Sequence, residues 1–114
     1  MFDSVSSIAL QSALDGLALR QRAIANNIAN VNTPNYHARR VQFETTLAAS
    51  VAAGSKTMTA ATTATSLEPT NLEGNNVNLE TETLSNVDTV LRYQFATQAV
   101  GGEANSLRTA LRTN

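Results

Sequence analysis

The chain has 114 residues, of which 42% are hydrophobic and only 4% aromatic, with no tryptophan and no cysteine. That excludes disulfide frameworks, thiolate metal sites and thiol catalysis, and it leaves one small domain with few bulky side chains to bury. A net charge of −1 and the shortage of aromatic residues give no footprint for nucleic acid or for an anionic membrane.

Over residues 1–31 the spacing predicts an amphipathic helix from Asp3 to about Asn30. Leu10, Leu14, Leu17, Gln21, Ile24, Ile28 and Val31 alternate steps of four and three, a heptad seam. Asp3 is the expected N-cap, Arg20 and Arg22 suit the C-terminal half of the macrodipole, and Gly16 is the one weak residue. Met1-Phe2-Asp3 lacks the basic region of a cleaved signal peptide, and no stretch has the length of a bilayer span, so direct membrane insertion is not expected.

Residues 32–76 carry no comparable period. Asn32-Thr33-Pro34-Asn35-Tyr36 reads as a turn, since Pro34 presets its φ and Asn35 tolerates a left-handed conformation. His37–Phe43 is compatible with an extended segment and Phe43–Val51 with a short helix. From Gly54 to Ser66 the chain is almost wholly Ala, Thr and Ser, which buries too little to offset its ordering entropy. A flexible loop is expected there.

Residues 77–114 read as a second long helix, from about Asn78 to Leu111. Asn78 can cap it, Glu80 and Glu82 sit in or near its first turn, and Arg108 and Arg112 in its last turns. Leu84, Val87 and Leu91 form one stripe; Val90, Tyr93, Thr97, Val100, Ala104, Leu107 and Leu111 form another. Gly101-Gly102 implies a bend or the close approach of another backbone, and the in-phase stripe beyond it favours close approach. The expected fold is all-α: two long terminal helices in a coiled-coil-like hairpin, joined by a long loop with little regular structure. A helix pair buries one seam on each rod, so the second stripe requires a partner's helix, and full order is expected only on association.

No catalytic constellation is visible. His37 is the only histidine and has neither a Ser-His-acid order nor metal-ligand spacing around it. Arg39-Arg40 has no glycine-rich phosphate loop beside it and reads as a solvated pair or as a salt bridge to an acidic neighbouring subunit. Glu80 and Glu82 point to different helix faces. No cofactor or metal is expected.

The asparagines stand apart. Asn26, Asn27, Asn30, Asn32 and Asn35 crowd the end of the first helix, yet Asn26 and Asn27 lie inside the heptad run, where simple termination would not place them. A plain helix terminus and an interaction surface both stay open on these residues alone. Asn27 and Asn30 share a helix face, and Tyr36 can fold back toward it. They are expected to tie the helix end to the following loop and to neighbouring subunits.

Ala25-Asn26-Asn27-Ile28-Ala29-Asn30-Val31-Asn32-Thr33-Pro34-Asn35-Tyr36 resembles the signature of bacterial flagellar rod and hook axial proteins, with Asn35 where that family usually has glycine. Gly74-Asn75-Asn76-Val77-Asn78-Leu79-Glu80, Leu91-Arg92-Tyr93-Gln94 and the short length are similar to a proximal-rod member. The resemblance covers both helices and the turn, not the Ala/Thr/Ser middle. It implies a non-enzymatic subunit, exported by the flagellar type III apparatus without a cleaved signal peptide. Such subunits stack helically through their terminal helices in the periplasmic rod, transmit torque and line the export channel. Implied partners are other rod subunits, the basal-body adaptor FliE and the MS ring. The assembly interface is expected at Leu10, Leu14, Leu17, Ile24, Asn26, Asn27, Ile28, Asn30 and Tyr36 on the first half. On the second half it is expected at Leu84, Val87, Leu91, Tyr93, Val100, Leu107 and Leu111. A helical-hairpin component of another type III secretion apparatus and a paralogous proximal rod protein are the alternatives.

Overall fold

A computed structural model describes residues 4–112, without the side chains of 103–107 and 112. Helix α1 spans Val5–Ala29. Its N-cap is Ser4, whose hydroxyl oxygen accepts the Ser7 amide at 3.1 Å, while Asp3, the expected cap, lies outside the described residues. At the other end the Asn30 side chain turns back and donates to the Asn26 carbonyl at 2.8 Å, a second bond to the carbonyl that also accepts the Asn30 amide at 3.1 Å.

The buried face of α1 is Ser7, Ser12, Gly16, Leu17, Ala23, Ile24 and Asn27. Only part of the heptad seam coincides with it: Leu17 and Ile24 are buried, Leu10 and Leu14 half-buried, and Ile28 exposed.

The middle of the chain corrects the expectation of an all-α protein with an unstructured loop. Strand β1 (Arg39–Gln42) is followed by helix α2 (Glu44–Ala52) and strand β2 (Thr62–Thr65). The strands pair antiparallel, with Arg39 opposite Thr65 and Gln42 opposite Thr62. The Ala/Thr/Ser stretch needs no core of its own because it borrows partners. Buried Ser12 on α1 accepts the Thr59 amide at 3.0 Å, and the threonines of β2 complete a ladder with β1.

Helix α3 spans Leu79–Arg112, roughly 50 Å at the usual rise. Asn78 Oδ1 starts it, accepting the amides of Glu80 at 3.0 Å and Thr81 at 3.3 Å. Part of α3 packs on α1, where Gln21 Nε2 donates to Asn86 Oδ1. The face it buries is Glu82, Thr89 and Ala96, seven residues apart, rather than either apolar stripe. Short or hydrogen-bonded side chains bring the backbones close, and the Thr89 hydroxyl is satisfied by the Ser85 carbonyl at 2.6 Å. A coiled-coil hairpin with apolar seams is therefore not formed. From Thr97 onward every described side chain of α3 is exposed. Gly101 and Gly102 lie within the helix with nothing near the place of a Cβ among the described residues, so no described backbone elsewhere in the chain approaches them.

The small apolar core joins Leu17, Ala23, Val41, Phe43 and Ala96, with Leu14, Leu19 and Leu47 packed around them. Here Gly16 has its reason. A Cβ at this position would lie 2.5 Å from the ring of buried Phe43, so the aromatic ring rests on bare helix backbone. Gly16→Ala should gain up to about 1 kcal/mol of helix propensity. It should still lower stability by about 1–3 kcal/mol through overpacking. Thermal melting checks this; an unchanged or raised midpoint would show that the ring can move aside.

Candidate functional site

The asparagine-rich turn closes on itself through side-chain amides. Asn27, fully buried on the last turns of α1, treats β1 as a neighbouring strand would. Its Oδ1 accepts the Arg39 amide at 2.9 Å and its Nδ2 donates to the Arg39 carbonyl at 3.0 Å. The Tyr36 hydroxyl adds a third bond to the same Oδ1 at 3.2 Å. Asn76 does the equivalent between the strands: its Oδ1 accepts the Ala38 amide at 2.7 Å and its Nδ2 donates to the Ser66 and Glu68 carbonyls, both at 3.1 Å. Asn75 Nδ2 donates to the carbonyls of Asn30 and Thr33, each at 2.8 Å. Asn35 and Gly74 are both left-handed, with φ of 61° and 78°, and their backbones meet so closely that a Cβ on Gly74 would strike the Asn35 side chain. Three buried asparagines thus weld the end of α1, the turn, β1 and the start of α3 into one piece. Neutral amides suit this task, since each offers a donor and an acceptor without the cost of burying charge.

Two arginines fasten the rest. Arg20 on α1 lies 4.9 Å over the Phe43 ring and donates to the Val41 carbonyl at 2.7 Å and to Glu44 Oε1 at 2.6 Å. That hydrogen-bonded guanidinium holds the Glu44 carboxyl below the usual carboxylate range, although partial burial pushes the other way. The second oxygen of Glu44 faces Arg92 of α3 at 3.7 Å, so α2 bridges both long helices, weakly because the pair is exposed. Arg40 corrects the expectation of a solvated pair or a bridge to another subunit. It is bound within the chain to Glu82, whose side chain is completely buried at the contact between α3 and the strands. The bond is single-pronged: Arg40 Nη2 and Glu82 Oε2 remain without partners. His37 is exposed.

What the subunit leaves open is the outer face of α3. Leu84, Val87, Leu91 and Phe95 are between 51% and 72% exposed on consecutive turns of one face. This is an exposed apolar strip on a helix anchored at one end by the asparagine weld.

Residues 9–37, the span that holds α1 and the asparagine turn, match the family described as Flagella basal body rod protein. The flagellar basal body rod protein FlgB of Escherichia coli K12 is 32% identical over 124 aligned positions, covering 90% of each chain. The chain belongs to the FlgB family of flagellar basal body rod proteins. The FlgB of Bacillus subtilis 168 is 30% identical over 118 positions, covering 90% of this chain and 89% of its own, and that of Borrelia hermsii is 59% identical over a 34-residue stretch. Membership makes this a structural subunit of the flagellar basal body rod, not an enzyme, and one that assembles with other rod components. The paralogous rod protein FlgC and a component of another type III apparatus are not favoured.

Seen against that role, the expected interface residues divide. Leu17, Ile24 and Asn27 are consumed inside the subunit, and Asn30 and Tyr36 are half-buried in the weld. Asn26, Ile28, Leu84, Val87, Leu91, Tyr93, Val100 and Leu111 face solvent, Leu10 and Leu14 are half-buried, and the side chain of Leu107 lies outside the described residues. Sequence reasoning missed Asn75, Asn76, the Arg40–Glu82 pair and exposed Phe95. The paired amides carry one usable signal, the recurrence of an Asn-Asn dipeptide at 26–27 and 75–76.

Proposed function

We propose that this chain is a proximal rod subunit that joins its neighbours through the uncovered face of α3, with the exposed residues of α1 completing the contact. Arriving through the flagellar type III apparatus without loss of a leader, it takes its place in the periplasm near the MS ring and the adaptor FliE. There it transmits torque and lines the export channel. The observation that carries this reading is the apolar strip from Leu84 to Phe95, which none of the described residues covers. Contacts between two different patches do not close on themselves and so generate helical stacks. None of the described helices is long and apolar enough to cross a membrane, which fits a subunit held by protein contacts.

The test is the pair Leu84→Asp and Leu91→Asp. Both side chains already face water, so circular dichroism and melting of the subunit should stay unchanged. A charge placed in a dry helix contact costs about 2–4 kcal/mol at each subunit junction. Rod incorporation and swimming should be lost while secretion continues. Normal rods in both strains would refute the role of α3.

A further inference from the structure

The turn Asn71–Asn75 carries a leucine that the fold holds out in water. Leu72 is fully exposed, yet its turn is among the most tightly bonded parts of the chain. Asn71 Oδ1 accepts the amides of Glu73 at 2.9 Å and Asn75 at 3.0 Å. The Asn71 amide donates to the Asn75 carbonyl, the Gly74 amide to the Asn71 carbonyl, and the Asn35 amide to the Glu73 carbonyl. A leucine on a rigid knuckle has little ordering cost left to meet on binding.

On the flank of the molecule, side chains of α1 and α3 line a cleft of about 550 Å³. Its walls are Leu17, Ala18 and Gln21 on one side and Val90 and Tyr93 on the other, with Arg22 at the rim. Arg22 makes no ion pair among the described residues, and neither does the carboxylate of Glu73, next to Leu72. The subunit cannot fill the cleft with its own knuckle. From Leu79 to Val90 is about 16 Å of helix, and the turn is tied at Asn35 and Asn75 to the far end of α1.

We propose that the Asn71–Asn75 turn of one subunit docks into the α1–α3 cleft of a second copy of this chain, seating Leu72 on Ala18, Val90 and Tyr93 and setting Glu73 against Arg22. The occupant is another copy because the missing anion and the missing apolar tip both belong to this chain, on a surface the cleft cannot reach within one molecule. Knuckle and cleft are different patches, so the contact is head-to-flank and propagates instead of closing as a dimer. It rests on the rod-subunit reading and specifies one of the contacts between copies.

The absence of cysteine allows a direct test. Leu72→Cys and Ala18→Cys are placed on separate copies, co-expressed, and treated in isolated basal bodies with a short bismaleimide. A product of two subunits should form only when both variants are present, and none should form when Thr63→Cys, on exposed β2, replaces Ala18→Cys. Glu73→Arg should reduce rod incorporation about tenfold by facing like charges, and adding Arg22→Glu to the same chain should restore it; melting of each variant confirms an intact fold. Rods that hold both cysteine variants without the Leu72–Ala18 product would overturn the docking, as would cross-linking of Leu72→Cys to a different protein or normal incorporation of Glu73→Arg. Failure of the unaltered chain to enter rods would instead overturn the reading on which the docking rests.

Discussion

Asn27→Ala is expected to lower the stability of the subunit by about 2–4 kcal/mol, because a fully buried side chain that bonds both the Arg39 amide and the Arg39 carbonyl is lost at once. The Arg39 amide and carbonyl lose the side-chain amide that pairs with both, and Tyr36 loses its acceptor. Residue 39 faces Thr65 in β2, and the alternation of an antiparallel ladder turns its backbone groups toward α1. Asn27→Asp should be no milder. One carboxylate oxygen would still accept the Arg39 amide, but the other would face the Arg39 carbonyl, acceptor against acceptor, with a charge in a fully buried position. Urea unfolding followed by circular dichroism gives both values. If Asn27→Asp unfolds at the wild-type midpoint, the donor bond to Arg39 contributes nothing.

Removing Arg40 should be costlier still. Arg40→Met leaves the Glu82 carboxylate completely buried without its counter-charge, a loss of about 3–5 kcal/mol. The reverse deletion should be milder, since Arg40 is part-exposed and its freed guanidinium can reach water. Combining Arg40→Met with Glu82→Leu should return stability to within about 1 kcal/mol of the parent, because an apolar pair of similar volume avoids desolvating two ions. Equilibrium unfolding of the four chains of this cycle decides it. A double variant as unstable as Arg40→Met alone would mean that the pair positions α3 by geometry that no apolar contact reproduces.

The two long helices follow closely from the sequence because caps and periodicity are local. Ser4 takes the capping role one residue after Asp3, and Asn78 starts α3 as its amide chemistry dictates. The phase of α3 was not readable in the same way. Glu82, Thr89 and Ala96 recur every seven residues just as the leucines do, and hydrophobicity alone points the wrong stripe inward. The polar stripe goes inside because Arg40, distant in sequence, neutralises Glu82, and because Thr89 bonds its own helix. Composition likewise hid β2, since a threonine-rich segment is weak alone and ordered only by a strand and a serine far away in the chain. At the asparagine turn the residues that matter are conspicuous, but their partners lie eight to forty-five positions off, beyond any local pattern.

The weld of Asn27, Asn75 and Asn76 also determines how the subunit behaves when twisted. Apolar helix contacts are non-directional, so helices held only by them slide past one another under shear with little change in energy. An amide wedged between fixed backbone groups has no such freedom, because its bonds weaken steeply once angles depart from linearity. Shear between α1 and the strands, or between the strands and the root of α3, is therefore opposed at the junction itself. The outer length of α3, where every described side chain from Thr97 onward is exposed, is left as the compliant part. Stiff at the root and yielding along the shaft, the subunit has the mechanics of a spoke seated in a rigid hub.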